Sequence, residues 1–186
     1  MKKQIIKLSK TGMLISVSLF IGMYLFTGCQ QQPEANNEKE KVVTKNAAED
    51  LEDKGKEPWA IDIEAATVDN NNYRQAIWSG KYMQTVLMSL KPGEVIELEV
   101  HHDHDQFFRV EQGKARIYMG KTEDDLPFEK VVKDDWAVFI PAGYWHKVES
   151  IGDVDLKLYT IYAPPEHPKG IVHETYEDTE DYHNDH

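Results

Sequence analysis

Between residues 75 and 163 the chain shows no sustained helical periodicity; turn signals cut it into short runs of β-forming residues. Tyr82–Leu90 (YMQTVLMSL) is one such run and stops at Lys91-Pro92-Gly93, where proline and glycine set the dihedrals of a turn. Val95–His101 (VIELEVH) alternates strictly, with Ile96, Leu98 and Val100 on one face and Val95, Glu97, Glu99 and His101 on the other. Phe107–Val110 and Ala115–Met119 flank the tight turn Glu111–Lys114, and Val131-Val132, Trp136–Ile140, His146–Val148 and Leu156–Tyr162 complete the series. Many short strands at close spacing predict an all-β sandwich or barrel. Upstream, Ala65-Ala66 fits a short helix or turn, and Asn70-Asn71-Asn72 marks a loop.

The ends differ from this region. Lys2, Lys3, Lys7 and Lys10 precede an apolar run from Met13 to Phe26, followed by Thr27-Gly28-Cys29. That run is shorter than the roughly 20 residues a spanning helix needs and has the length of a signal-peptide core. The segment resembles a bacterial lipoprotein signal, in which the cysteine is lipidated and the chain is cut just before it. The resemblance implies lipidation at Cys29, a membrane anchor and a domain on the extracytoplasmic side. Cys29 is the single cysteine, so no intrachain disulfide can form. Gln30–Pro58 is polar and poor in large apolar residues, which predicts a flexible tether. The expected organisation is therefore a signal peptide over 1–28, a linker over 29–58, a barrel over 59–163 and a C-terminal extension over 164–186. The net charge of −12 disfavours nucleic acid as a partner.

Glu99 and His101 stand two apart on one strand and leave the same face. Such a pair is either a set of metal ligands or a solvent-facing polar stripe. The surrounding spacing favours ligands. Gly93, EVIEL, Glu99-Val100-His101, HDHD, Gln106, FFRVEQ and Gly113 run in order, and later come Asp135, WAVFI, Pro141-Ala142-Gly143, YW, His146, KVE and Ser150. These two blocks resemble the paired motifs of the cupin superfamily over about a hundred residues. The resemblance implies a small antiparallel jelly-roll β-barrel, and it maps the metal positions onto Glu99, His101, Gln106 and His146. Two of these depart from the usual pattern, since Glu99 stands where a histidine is common and Gln106 where a glutamate is common. One carboxylate is kept, but it has moved. Two imidazoles, a carboxylate and an amide carbonyl suit a divalent ion such as Mn, Fe, Zn or Ni.

His102 and His104 form a second His-x-His, which is out of register with the motif and off the Glu99/His101 face by parity, so both are expected at the barrel rim. Phe108 and Val110 share the Gln106 face and should wall the pocket, whereas Phe107 and Arg109 face away. Pro141 and Gly143 should aim His146 inward, Tyr144 and Trp145 should pack at the rim or core, and Asp103 and Asp105 are expected as loop acids. Ala163-Pro164-Pro165 should end strand structure, leaving His183 and His186 in a tail and His167 and His173 either in that tail or as part of a lid.

Cupins include isomerases, dioxygenases, lyases and non-catalytic binders, so fold alone does not give a reaction. The leading expectation is a metal-dependent enzyme acting on a small oxygen-rich molecule, a sugar or organic acid, with Glu99 as ligand or base. The alternative is a module that binds a small ligand or metal ion without turnover. Homodimerisation is also implied by the resemblance.

Overall fold

The structure, a computed structural model, describes residues 51–179. The signal-like segment and Cys29 lie outside them, as do His183 and His186. A seven-residue helix, α1 (Ile63–Asp69), is followed by ten strands: β1 (Arg74–Ser79), β2 (Gln84–Leu90), β3 (Val95–Val100), β4 (Asp105–Gln112), β5 (Lys114–Gly120), β6 (Phe128–Lys133), β7 (Ala137–Ile140), β8 (Trp145–Ser150), β9 (Leu156–Ala163) and β10 (Val172–His173). They form two antiparallel sheets, ordered β10-β1-β2-β9-β4-β7 and β3-β8-β5-β6. This is the expected all-β jelly roll.

Alternation decides the core. On the six-stranded sheet Val86, Thr160, Phe108 and Val138 stand side by side across β2, β9, β4 and β7, and all are buried. Facing them from the other sheet are Ile96, Val148, Ile117 and Ala115. Phe108 and Val110 thus wall the interior as expected. A second, smaller core lies on the outer face of the six-stranded sheet, where Ala66 of α1 meets Ile77 and Leu87, with Leu51, Ile61 and Ile63 around them. Helix α1 begins at Asp62, whose carboxylate accepts the Ala65 N–H at 3.1 Å.

The motif positions for turn glycines share one backbone state. Gly93, Gly113 and Gly143 have φ of 90°, 84° and 77°, and Asp135, standing at the fourth such position, has φ of 69°. At Gly113 a Cβ would also lie 2.8 Å from the Asp155 carbonyl oxygen. The spacing that carried the resemblance is thus a record of where the chain must enter the left-handed region.

Ordered packing runs past the limits of 59 and 163 expected for the barrel. The Lys54 N–H donates to the Ile77 carbonyl at 2.9 Å, and Asp53 accepts backbone N–H groups from Gly55, Ser79 and Gly170. Strand structure resumes after the prolines as β10, which pairs with β1. A strap, residues 164–173, is held along its length. The Gln84 amide makes two bonds to the backbone of His167, at 2.9 and 3.0 Å, and the Ala76 N–H donates to the Ile171 carbonyl at 3.0 Å. These anchors are single polar side chains and backbone groups rather than an apolar periodicity, so the sequence pattern did not reveal them.

Candidate metal centre

His146 is placed by plain alternation. Along β8 the side chains of His146, Val148 and Ser150 are buried while those between are partly exposed. Its neighbour across β3 is Glu99, directly opposite in register. Glu99 reaches that position through an irregularity. Ile96 pairs with Val148 and Glu99 with His146, so Glu97 and Leu98 together oppose the single residue Lys147. This bulge corrects the strict alternation expected for Val95–His101. One extra residue lets Ile96 face the core and Glu99 face the site, although they are of opposite parity.

The Glu99 Oε1 lies 3.2 Å from His146 Nε2 and 3.5 Å from His101 Nε2. Donors bonded to one cation at about 2.0–2.2 Å stand roughly 3.0–3.5 Å apart in tetrahedral or octahedral geometry. The separations therefore match the edges of a coordination polyhedron. The His146 tautomer agrees. His146 Nδ1 sits 3.1 Å from the Tyr144 carbonyl. A carbonyl only accepts, so Nδ1 carries the proton and a neutral ring offers the Nε2 lone pair to Glu99. A lone pair and a carboxylate oxygen face each other stably only with a proton or a metal ion between them.

The three groups also interact through charge. Burial pushes the Glu99 carboxyl up, but His101 and His146 outweigh it and hold the group well below the usual carboxylate range. Burial pushes His101 down, yet Glu99, followed by Glu166 and Asp103, holds its ring above the usual value.

Gln106 is buried on the inner face of β4, beside Tyr162 of β9. Its Nε2 donates to the Thr160 hydroxyl at 3.0 Å, and that hydroxyl donates to the Phe107 carbonyl at 3.1 Å. Thr160 has no second proton to give, so the amide nitrogen belongs on its side and the carbonyl oxygen faces the other way. That oxygen is buried without a hydrogen-bond partner. It is the atom the sequence mapping assigns to a cation.

The loop after β3 is laced to the turn before β8. The Gly143 N–H donates to the His101 carbonyl at 2.7 Å, and Asp105 accepts the Ala142 N–H at 2.9 Å. Asp105 is thus a turn-shaping acid, and Pro141–Gly143 holds His101 and His146 in mutual register. Tyr144 packs against the core. Arg109 faces outward and pairs with Glu111 and Asp135.

Several residues expected elsewhere, or not singled out by the sequence, are held in or beside this neighbourhood. His104, expected at the rim, is 5% exposed, and its ring stacks on His101 with centroids 4.4 Å apart. Strand β3 ends at Val100, so the parity rule that excluded His104 stops applying before it. Glu166, from the strap, lies with Oε1 3.7 Å from His101 Nδ1 and Oε2 3.3 Å from His104 Nε2. His101, His104 and Glu166 form a second group with metal-ligand spacing adjoining Glu99, His101 and His146. His167, expected in a tail, lies edge-on to Tyr162 at 5.1 Å; burial, then the charge of Arg74, pushes its ring down to about 3. His173, also expected there, is buried in β10. The nearest sequence signal for this strap is the density of histidine and glutamate after residue 165, where a tail was expected.

Comparison with known proteins agrees with the fold. A family model described as Cupin domain matches residues 86–162. The chain is 52% identical over 125 residues to Uncharacterized protein YrkC of Bacillus subtilis (strain 168), covering 67% of each. It is 41% identical over 115 residues to Uncharacterized protein L612 of Acanthamoeba polyphaga mimivirus, covering 61% of this chain and 70% of that one. Among solved structures, BH2720 from Bacillus halodurans superposes with a TM-score of 0.69 at 47% identity, covering 70% of this chain and 98% of that one. The motif turns, the double sheet and these likenesses converge, and the chain belongs to the cupin family.

Proposed function

We propose that this cupin holds one divalent cation on Glu99, His101 and His146, completed by the Gln106 carbonyl oxygen, and acts through it on a small oxygen-rich molecule. One observation carries the reading: a carboxylate oxygen stands at coordination-edge distance from two imidazole nitrogens, one of them fixed as a lone-pair donor. The mixed nitrogen and oxygen set suits Mn, Fe, Zn or Ni. When bound, the ion supplies Lewis acidity toward a carbonyl, carboxylate or enediolate. The chain's own part is to hold Glu99 deprotonated, as ligand or proton acceptor, and to fix His146 in one tautomer through Tyr144.

Elemental analysis of metal-loaded, dialysed protein tests this, with a version ending at residue 179 to remove His183 and His186. The expected result is about one tightly held ion per chain, surviving the truncation. Glu99→Ala should weaken binding by at least about 100-fold, the upper end of what loss of a supporting group alone produces. Equal retention of metal by Glu99→Ala would end the proposal. Turnover lost in both His101→Ala and His146→Ala assigns an enzyme, whereas stoichiometric ligand binding without turnover assigns a binding module.

The N-terminal pattern supports a second part of the proposal. Lys2, Lys3, Lys7 and Lys10, the run Met13–Phe26 and Thr27-Gly28-Cys29 would export the domain and anchor it by a lipid on Cys29. Mass spectrometry of the mature N-terminus should find a modified Cys29; an intact Met1 would refute it. For homodimerisation the supporting feature is the outer row Trp78, Thr85, Ile161, Phe107 and Phe139 across the six-stranded sheet, where Phe139 is 71% exposed.

A further inference from the structure

Arg74 opens β1 on its inner face. Its neighbours in register are Met88 of β2, a fully buried core residue, and His173 of β10. The residue is 5% exposed and its Nε has no hydrogen-bond partner. Among the described residues no carboxylate lies within ion-pair distance of it, and its one close charge-related contact is the Tyr73 ring, 5.8 Å from the guanidinium carbon. A guanidinium cannot shed its proton to escape burial, as a lysine can. An unpaired buried charge is among the most costly groups a core can contain. Elsewhere this chain does satisfy its cations: Arg109, on the outer face, has two carboxylates.

Arg74 shares its surroundings with the metal centre. Tyr73 bridges the sheets, its hydroxyl donating to the Val95 carbonyl of β3 at 2.6 Å. Tyr162 lies edge-on to His101 at 5.7 Å and to His167 of the strap at 5.1 Å, and the charge of Arg74 helps to push the His167 ring down. Tyr73 immediately precedes β1, Tyr162 lies in β9 and His167 in the strap, so Arg74 of β1 and Glu99 of β3 flank one interior from opposite sheets.

We infer that Arg74 is the anion anchor of the site, holding the carboxylate of a small hydroxy or oxo acid whose other oxygen faces the cation held by Glu99, His101 and His146. The charge count rests on the metal reading proposed above. A divalent ion and Arg74 bring three positive charges, and Glu99 with Glu166 returns two; Asp103, which also faces His104, is 84% exposed and its charge is left to solvent. One negative charge on the ligand closes the balance. A carboxylate supplies that charge and matches the two-pronged guanidinium; a phosphate monoester carries nearly two and overshoots. A neutral sugar would leave Arg74 unpaired.

The test is titration calorimetry with lactate and gluconate against their uncharged counterparts propane-1,2-diol and glucose, and against inorganic phosphate. It is run on the Mn²⁺-loaded and metal-free protein, in wild type, Arg74→Met and Arg74→Lys. The expected result is binding of at least one acid in preference to the neutral compounds. Arg74→Met should weaken it about 10- to 100-fold, as loss of a charge-assisted bond does, and Arg74→Lys should recover part. Mn²⁺ stoichiometry stays unchanged in both variants, which also reports that they fold. Acid binding that depends on Arg74 in a protein that holds no metal would keep the anchor and overturn the metal reading alone. Acid affinity equal in Arg74→Met and wild type would overturn the anchor. So would preference for phosphate or for a neutral compound, or the absence of binding by every acid in a protein that does hold Mn²⁺.

Discussion

Strands β3 and β8 deliver ligands to the same point by different means. On β8 the period of two runs without interruption, and the turn just before it supplies the Tyr144 carbonyl that fixes the His146 tautomer. On β3 a bulge resets the parity before Glu99, and the strand ends before His101. His101 then depends on groups from far along the chain: the Gly143 N–H on its carbonyl and Glu166 beside its ring. One strand is self-sufficient, while the other is assembled from outside. A ligand on a regular strand is placed by local geometry, whereas a ligand at a strand's end is placed by what packs against it.

Replacing Glu166 with glutamine tests that contrast most sharply. The amide keeps the volume but removes the charge that faces both His101 and His104. Metal affinity should fall about 10- to 100-fold, as when the carboxylate behind a ligating imidazole is lost. A metal-competition titration reads this directly. An unchanged constant would show that β3 and its loop fix His101 without the strap, and the two strands would then be alike.

A smaller effect is expected from deleting Leu98. With one residue removed, Ile96 and Glu99 become two apart, and regular pairing brings both inward opposite Val148 and His146. Glu97, which accepts a bond from the Tyr176 hydroxyl, is retained. Metal affinity should change by less than about tenfold, below the range for losing a supporting group. A larger loss would mean that the added twist of the bulge, beyond its parity, aims the carboxylate.

The same contrast explains what could be read from the sequence. Strands β2, β4, β5, β8 and β9, the turn glycines and the inward face of His146 follow from alternation and turn chemistry, and both act over a few residues. Gln106 was legible for the same reason, since it lies within a regular strand. His104 was misplaced because a rule valid inside β3 was carried past its end. Glu166 and His167 were missed because the strap has no apolar period; Asp53, Gln84 and Ala76 tie it down. Arg74 stands at the head of a strand that the sequence reading did not delimit, so its inward direction had no basis before the register was known.

The smallest effect concerns Asp135, the one motif turn position without glycine. Its φ of 69° costs an L-residue about 1–2 kcal/mol. Glycine would relieve that strain but lose about 0.5–1 kcal/mol of chain entropy on folding. It would also remove the pairing of Arg109 with a carboxylate that is 77% exposed, a solvent-screened contact of small worth. Arg109 would still be held by the buried Glu111. These terms nearly cancel, so Asp135→Gly should shift unfolding free energy by less than about 1 kcal/mol in a denaturant titration, and metal affinity should not move. A destabilisation well beyond that would mean that the Arg109–Asp135 pair, rather than backbone conformation, sets the β6–β7 turn. Sequence spacing at this motif position would then record a side-chain contact instead of a dihedral requirement.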